Sequence, residues 1–307
     1  MAMANVCHGR GYMVTIHNYD DWTIYDGLSS GSGASEKCWF RSNDEKKQIG
    51  LFKFPKTQES GNLTTEYISE HLACKIGNEL KIPTAVVDIG YRDGRLGCMS
   101  YQINSIIEEG VSYISNRYPS YDMDNLFAED EGKYYCLDMI IDSVGDTLEE
   151  GWFIPMLLFD FIIGNTDRHH SNWAIVTSYE GQKKLCPLYD NGSSLCCYID
   201  DDKVLTYLGK DKMRFDSLVK SKSRSRIRID GSKKKEPRQD DVIKYVFSRY
   251  TDAKKTAMNY IEKLNPKCVG KLMDEYPQEI LSDSRRALIE KFINAKVEYL
   301  HDIVREK

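Results

Sequence analysis

Two short polar segments near the middle of the chain constrain its fold most. The first runs from Asn165 through Asp167 to Asn172, and the second contains Asp190. Asn172 lies five residues after Asp167, and Asp190 lies eighteen residues after Asn172. In that order, the first carboxylate can orient a hydroxyl, while the amide and second carboxylate can hold magnesium against phosphate groups. The apolar run 174–176 predicts a strand between loop and metal site, so the pattern favours phosphoryl transfer from ATP.

Candidate phosphate-binding groups precede these segments in the chain. Residues 26–37 contain three glycines among small residues between two predicted strands. Glycine lets backbone N–H groups approach phosphates closely. The candidate ATP-binding positions of this loop are Gly31, Ser32 and Gly33. Lys53 alternates with apolar neighbours on a later strand, and we expect it to contact the phosphates and to pair with Glu66 on the following helix.

The secondary-structure pattern changes about a third of the way along the chain. Residues 12–104 read mainly as strands, bounded by Gly, Pro or charged residues. One helix interrupts them over Thr64–Leu80, where apolar residues recur at helical spacing and Pro83 prevents continuation. From residue 105 onward the pattern is mostly helical, including the apolar stretch Trp152–Ile163 and the amphipathic stretch Arg285–Val304.

This change predicts an α+β fold with two lobes. Residues 1–104 would form a small β-rich N-lobe with the Gly-rich loop and the phosphate lysine. Residues 105–307 would form a larger helical C-lobe with the catalytic loop and the metal site. The stretch 97–104 would then be the hinge between the lobes, where Ser100 and Gln102 are candidates to bind adenine through backbone groups.

Bulk properties exclude several classes of protein. The net charge of -5 gives no electrostatic case for direct nucleic-acid binding by the whole chain. Nine cysteines without C-x-x-C spacing favour a reduced, cytoplasmic protein and argue against a zinc site. No apolar run is long enough to span a membrane, and the first residues do not resemble a secretory signal.

One strongly basic segment, Lys220–Lys235, stands apart. It contains eight Lys and Arg residues against a single Asp. Its serines and Gly231 are typical of a mobile, solvated loop. The alternative is a docking surface for an acidic or nucleic-acid-bound substrate.

Three stretches of the sequence resemble the kinase region of the HipA family. Gly33–Lys37 is similar to the family's G-x-Q-x-K loop, with Ser35 in place of Gln. Thr65–Gly77, followed by Pro83, is similar to its N-E-Y…L-A…L-G…P helix and exit. Asn165–Asn172 closely matches its N-x-D-x-H-x-x-N signature. The resemblance covers most of residues 25–304 and does not include the N-terminal subdomain of full-length HipA toxins.

The resemblance implies a serine/threonine protein kinase that uses ATP and Mg²⁺. Asp167 would be the catalytic base, and His169 would support the geometry of its loop. Asn172 and Asp190 would bind magnesium. Members of the family phosphorylate their own Gly-rich loop and switch themselves off; the matching position is Ser30, with Ser32 and Ser29 beside it. A phosphate there would add roughly -1.5 to -2 charge to a pocket made for ATP phosphates.

The family also implies partners. Many members are toxins of toxin–antitoxin pairs, and known members phosphorylate aminoacyl-tRNA synthetases. We therefore expect a translation protein as substrate and an antitoxin as a further partner. Two other readings stay open. Phosphatidylinositol kinases use a similar N-T-D-R-x-x-x-N-W loop, and a catalytically silent ATP-binding module would keep the same fold.

Overall fold

A six-stranded sheet forms the first part of the molecule. The computed structural model describes residues 13–28 and 36–306. The strands are β1 (Ile16–Asn18), β2 (Thr23–Ile24), β3 (Lys37–Arg41), β4 (Ile49–Lys53), β5 (Val87–Arg92) and β6 (Arg95–Tyr101). Their spatial order is β1-β5-β6-β4-β3-β2. Neighbouring strands are antiparallel except for the parallel pair β1 and β5.

One helix, α1 (Glu66–Leu80), lies between β4 and β5 in the chain and packs on the sheet. Its buried face includes Ile68, Leu72 and Ile76, at the spacing that places side chains on one side of a helix. Lys81, whose φ of 62° is left-handed, caps the C-terminal end of the helix two residues before Pro83. The predicted helix 64–80 is therefore confirmed, except that it begins two residues later.

The remainder of the described chain is mainly helical. Its helices are α2 (Gly110–Arg117), α3 (Leu137–Val144), α4 (Ile154–Ile163), α5 (Asp201–Leu208), α6 (Lys212–Val219), α7 (Gln239–Arg249), α8 (Thr251–Lys263), α9 (Pro266–Asp274) and α10 (Asp283–Arg305), with a 3₁₀ turn at Gly145–Thr147. Its short strands are β7 (Ile106–Glu109), β8 (Tyr121–Asp122), β9 (Phe127–Ala128), β10 (Lys133–Tyr134), β11 (Ala174–Thr177) and β12 (Lys183–Leu185). They form two three-stranded sheets, β10-β9-β8 and β12-β11-β7.

Helix α4 is the centre of this helical part. Nine of its residues are buried, which is expected for a helix that is apolar on all sides. It ends at Gly164, whose φ of +67° suits glycine. A Cβ at this position would lie 2.6 Å from Phe292 of α10, so close helix packing also requires glycine. The polar segment that begins at Asn165 therefore starts at a fixed point in the fold.

The mixed α+β architecture agrees with the sequence expectation. The large sheet lies within residues 16–101, and the strand that follows, β7, pairs with β11 of the helical part. A lobe boundary near residue 104 stays a prediction. Within residues 13–28 and 36–306, no helix is both long and apolar enough to cross a membrane.

Candidate active site

Three charged residues meet where α1 faces the end of β4. The Lys53 Nζ lies 2.6 Å from Glu70 Oε1 and 2.8 Å from Asp190 Oδ1. Burial alone would lower the pKa of Lys53, but the two carboxylates together raise it above its usual value. Lys53 in turn holds the pKa of Asp190 well below its usual range, although partial desolvation of this carboxylate acts in the opposite direction. Lys53 is therefore a fixed positive charge next to an ionised Asp190.

The predicted partner of Lys53 on α1 was wrong by one helical turn. Glu66 instead pairs with Lys56, at 3.0 Å from Nζ, and accepts a hydrogen bond of 2.7 Å from Thr64. Glu66 is the first residue of α1, so its side chain reaches the loop before the helix. Glu70, four residues later on the same face, is buried and reaches Lys53. Its Oε2 also accepts from the Asn191 backbone N–H at 2.9 Å.

The predicted catalytic loop is closed by hydrogen bonds between its own residues. The Asn172 Nδ2 donates to the Asp167 carbonyl at 2.7 Å, and the Asp167 N–H donates to Asn165 Oδ1 at 3.1 Å. Burial lowers the pKa of His169, although Asp167 and Asp190 oppose this effect. The Ser171 N–H donates to its Nδ1 at 3.2 Å, which fits a neutral imidazole. The loop thus holds the Asp167 backbone firmly.

A buried arginine joins this loop to the Asp190 segment. The Arg168 Nη2 donates to Asp160 Oδ1 and to Asn191 Oδ1, both at 2.7 Å. Its Nη1 donates to the Asn172 carbonyl and, at 2.9 Å, to the Tyr189 carbonyl. Arg168 and Asp160 had no predicted role. An Asp inside the apolar stretch of α4 was the available signal, since a buried carboxylate requires a partner.

Arg226 of the basic segment reaches the side chain of Asp167. Its Nε lies 3.2 Å from Asp167 Oδ1, and its Nη1 lies 2.8 Å from Glu236 Oε1. Asp167 is about one-third exposed, which leaves it accessible from solvent. The mobile-loop interpretation of 220–235 does not fit this structure, because Ser223, Ile227 and Arg228 are buried. A contact between this segment and the catalytic loop was not predicted from the sequence.

The chemistry of Asn172 and Asp190 fits a hard divalent cation. The Nδ2 of Asn172 is engaged within the loop, which leaves its Oδ1 as the group that can face a cation. Asp190 is ionised, and its side chain is 42% exposed. Its φ of 54° is left-handed, a conformation that Asp tolerates better than most residues and that is common at functional sites. The described residues contain no cluster of three His, Cys, Asp or Glu side chains suited to a metal, so further ligands would come from phosphates and water.

The predicted hinge residues lie at the end of β6. Ser100 lies opposite Leu51 and Val87, in the middle of the sheet. Gln102 follows the strand, and its N–H donates to the Ile49 carbonyl at 2.9 Å. Since the sheet already uses this N–H, any adenine contact of Gln102 would use its carbonyl or side chain. The adenine-binding role of both residues stays a prediction.

The Gly-rich loop connects β2 and β3, which pair as antiparallel neighbours. The candidate ATP-binding residues Gly31, Ser32 and Gly33 lie outside the described residues, as do the phosphorylation candidates Ser29 and Ser30. Just after the loop, Lys37 lies opposite Lys53 in the β3–β4 register. Lys37 is thus a second lysine near Asp190, and it adds positive charge where phosphates would be bound. No separate role was predicted for Lys37 from the sequence.

Comparison with known sequences assigns the chain to a family. Residues 29–264 match the family described as the HipA-like C-terminal domain, which is more than half of the chain. The chain therefore belongs to the HipA-like C-terminal domain family, and the resemblance seen in the sequence is confirmed.

Individual relatives can also be named. The chain is 22% identical over 201 residues to the serine/threonine-protein kinase CtkA of Helicobacter pylori strain J99, which covers 62% of this chain and 60% of that protein. The chain thus spans about 60% of the length of the curated relative that it matches. The crystal structure of the H. pylori proinflammatory kinase CtkA superimposes with a TM-score of 0.76 at 17% identity, over 95% of this chain and 99% of that one.

A second solved structure is more distant. HipA of Shewanella oneidensis MR-1, in a toxin–antitoxin complex with HipB and operator DNA, has a TM-score of 0.54 at 13% identity. The superposition covers 92% of this chain and 69% of that one. Both structures share the α+β fold predicted from the sequence, and this fold places Lys53, Glu70 and Asp190 together.

Proposed function

We propose that this chain is a serine/threonine protein kinase of HipA type that uses ATP and Mg²⁺. The observation that carries the proposal is the contact of Lys53 with Glu70 and Asp190, beside a loop that presents Asp167 and Asn172. A fixed ammonium, a buried carboxylate that orients it and an ionised metal-ligand candidate are the groups that phosphoryl transfer requires. Membership of the HipA-like family supports the same conclusion.

Each group has a role in the proposed reaction. Lys53 would hold the α- and β-phosphates of ATP, and Glu70 would orient Lys53. Asn172 and Asp190 would hold magnesium, which when bound would neutralise phosphate charge. Asp167 would accept the proton of a serine or threonine hydroxyl as that oxygen bonds to the γ-phosphorus and the bond to ADP breaks. Neutral His169 would support the loop.

The biological setting belongs to the same proposal. By resemblance to the family to which the chain belongs, we propose an antitoxin partner, a translation protein as substrate, and self-phosphorylation at Ser30, Ser32 or Ser29. The Shewanella relative was solved in complex with HipB and operator DNA. The eight described cysteines are free thiols, which supports a cytoplasmic site of action.

A phosphatidylinositol-type lipid kinase is the second candidate. The observation that favours it is Arg226, because a basic segment beside Asp167 would suit an inositol phosphate headgroup as well as an acidic peptide. A silent ATP-binding module is less favoured, because the described site contains every group that the reaction requires: Lys53, Asp167, Asn172 and Asp190.

The test is transfer from γ-labelled ATP with magnesium. We expect wild-type protein to label itself or an added protein, and Asp167→Asn and Asp190→Asn to lose at least about a hundredfold in rate. Asn keeps the shape of each side chain and tolerates the left-handed φ at 190. Asp146→Asn is the matched control, because Asp146 is exposed on a turn.

Three results would decide against the proposal. Normal labelling by either site variant would exclude the assigned roles. Labelling of phosphatidylinositol vesicles but of no protein would favour the lipid kinase. ATP binding without any transfer would indicate the silent module.

A further inference from the structure

The basic segment folds into a defined structure, here called the basic hairpin, residues 223–239. Arg224 forms an antiparallel bridge with Arg238, and the Ser225 N–H donates to the Pro237 carbonyl at 3.0 Å. At the open end, the Gln239 N–H donates to the Ser223 carbonyl at 2.9 Å. The two arms of the hairpin are therefore held side by side.

The hairpin is anchored on the core beside α3. Ile227 is fully buried. The Leu137 N–H donates to the Arg228 carbonyl at 2.9 Å, and the Arg228 N–H donates to the Tyr135 carbonyl at 3.2 Å. Because this backbone is fixed, the charged side chains next to Ile227 are presented in one arrangement. Such preorganisation lowers the entropic cost of binding a ligand.

The hairpin region carries a large excess of positive charge. Residues 223–239 include seven Lys and Arg against two acidic residues, in a chain of net charge -5. Some of this charge is paired locally, as for Lys233 with Asp230 at 3.3 Å. Lys234 and Lys235 are exposed and have no ion-pair partner within the part of the chain that the structure describes. The surplus charge is thus available to an acidic ligand.

A cavity of about 450 Å³ lies in the hairpin. Five basic side chains, among them Arg224, Arg228 and Lys235, contribute to its walls, together with the acidic side chains of Asp230, Glu236 and Asp241. Glu236 also binds Arg226, and Arg226 binds Asp167. Two consecutive ion pairs, through Glu236 and Arg226, therefore connect the cavity wall with the candidate catalytic base.

We propose that the basic hairpin binds an acidic segment of the protein substrate beside the hydroxyl that is phosphorylated. Its Asp, Glu or phosphorylated side chains would occupy the cavity and contact Arg226. A substrate carboxylate on Arg226 would compete with Asp167 and leave the Asp167 Oδ1 free to receive the hydroxyl proton. This inference rests on the proposed kinase function, since it names the substrate class for that site.

The test is peptide binding to the full chain, measured by fluorescence anisotropy without ATP. The probes are two fluorescein-labelled peptides with a central serine, one flanked by glutamates and the other by glutamines. We expect the Glu peptide to bind about tenfold more tightly, as for one or two charge-assisted pairs. Lys235→Glu should weaken this binding about fivefold or more. Lys255→Glu, at an exposed lysine on α8, should change it less than about twofold.

The outcomes separate this inference from the kinase proposal. Equal binding of both peptides, or unchanged Glu-peptide binding by Lys235→Glu, overturns the docking site even if the protein transfers phosphate. Binding of a uridine oligonucleotide without the Glu peptide overturns it in favour of nucleic acid. Tight, Lys235-dependent binding of the Glu peptide with no phosphate transfer under any condition supports the docking site and refutes only the kinase.

Discussion

Glu70→Gln should impair phosphate transfer far more than Glu66→Gln. Glu70 is 4% exposed, and its Oε1 lies 2.6 Å from the Lys53 Nζ. In the proposed reaction magnesium would bind Asp190, and Glu70 would then be the acidic group that keeps Lys53 directed at the phosphates. Glutamine keeps the size of the side chain but removes the charge and one of the two acceptor oxygens, so it cannot accept from both the Asn191 N–H and Lys53. The perturbation therefore acts on the hydrogen bond to Asn191 and on the charge-assisted hydrogen bond to Lys53.

The expected magnitude follows from that bond. A charge-assisted hydrogen bond contributes about 1–2 kcal/mol more than a neutral one, so kcat/KM for ATP should fall about 5- to 30-fold. Stability should fall by no more than about 1–3 kcal/mol, the cost of leaving the buried Asn191 N–H without its acceptor. Burial raises the pKa of Glu70, against the effect of Lys53, so its charge is costly in this environment. Lys53 also keeps Asp190 as a partner in the free protein.

The assay is steady-state transfer from γ-labelled ATP, with urea unfolding as the check on folding. Glu66→Gln is the matched control, because Glu66 binds Lys56 and Thr64, away from Lys53. We expect it to stay within about twofold of wild type in kcat/KM. Equal losses for the two variants, or a larger loss for Glu66→Gln, would show that the helix pairs with Lys53 differently from this structure.

Two further predictions concern buried charge. Arg168→Met should lower the free energy of unfolding by about 3–5 kcal/mol in urea titrations, because the buried Asp160 loses its ion-pair partner. The double variant Arg168→Met with Asp160→Leu should recover part of this loss. Fully additive losses of the two substitutions would contradict the prediction. Lys296 is fully buried against Phe161, and its Nζ donates to Gln239 Oε1 at 2.9 Å. Burial lowers the pKa of Lys296 to about 7, although Asp240 acts in the opposite direction. In the unfolded chain Lys296 keeps its proton up to a pH near 10.5, so between pH 7 and 10.5 the unfolded state binds more protons than the folded state. The contribution of Lys296 to the free energy of unfolding therefore rises with pH, by roughly 2 kcal/mol from pH 7 to 9. Urea midpoints across this range should rise less in Lys296→Met, and an identical pH profile would contradict the assignment.

Much of the fold was predictable from periodicity. The apolar stretch 152–163 predicts a buried helix, and α4 occupies Ile154–Ile163. The pattern over 285–304 predicts a long helix, and α10 covers Asp283–Arg305. Both predictions succeed because the spacing of apolar residues directly reflects which face of a helix is buried. The short strands β8, β9 and β10 have no such signal and were not predicted.

The site was less accessible to sequence reasoning. Lys53 and Asp190, which meet in the structure, are 137 residues apart, and order along the chain was the only link between them. Glu66 and Glu70 share a helical face, so spacing alone could not choose between them. Arg226 lies 59 residues after Asp167, in a segment whose composition resembles a solvated loop. Its contact depends on how Ile227 is buried, which is a tertiary effect that local patterns do not contain.

The left-handed backbone of Asp190 limits which amino acids can occupy this position. Glycine, asparagine and aspartate accept such an angle readily, whereas β-branched and bulky residues are strained there. Of the three accepted residues, only aspartate supplies a negative charge to a cation and to Lys53. Aspartate is thus the one amino acid that both accepts this backbone angle and carries a negative charge, so no conservative replacement at position 190 preserves both shape and charge.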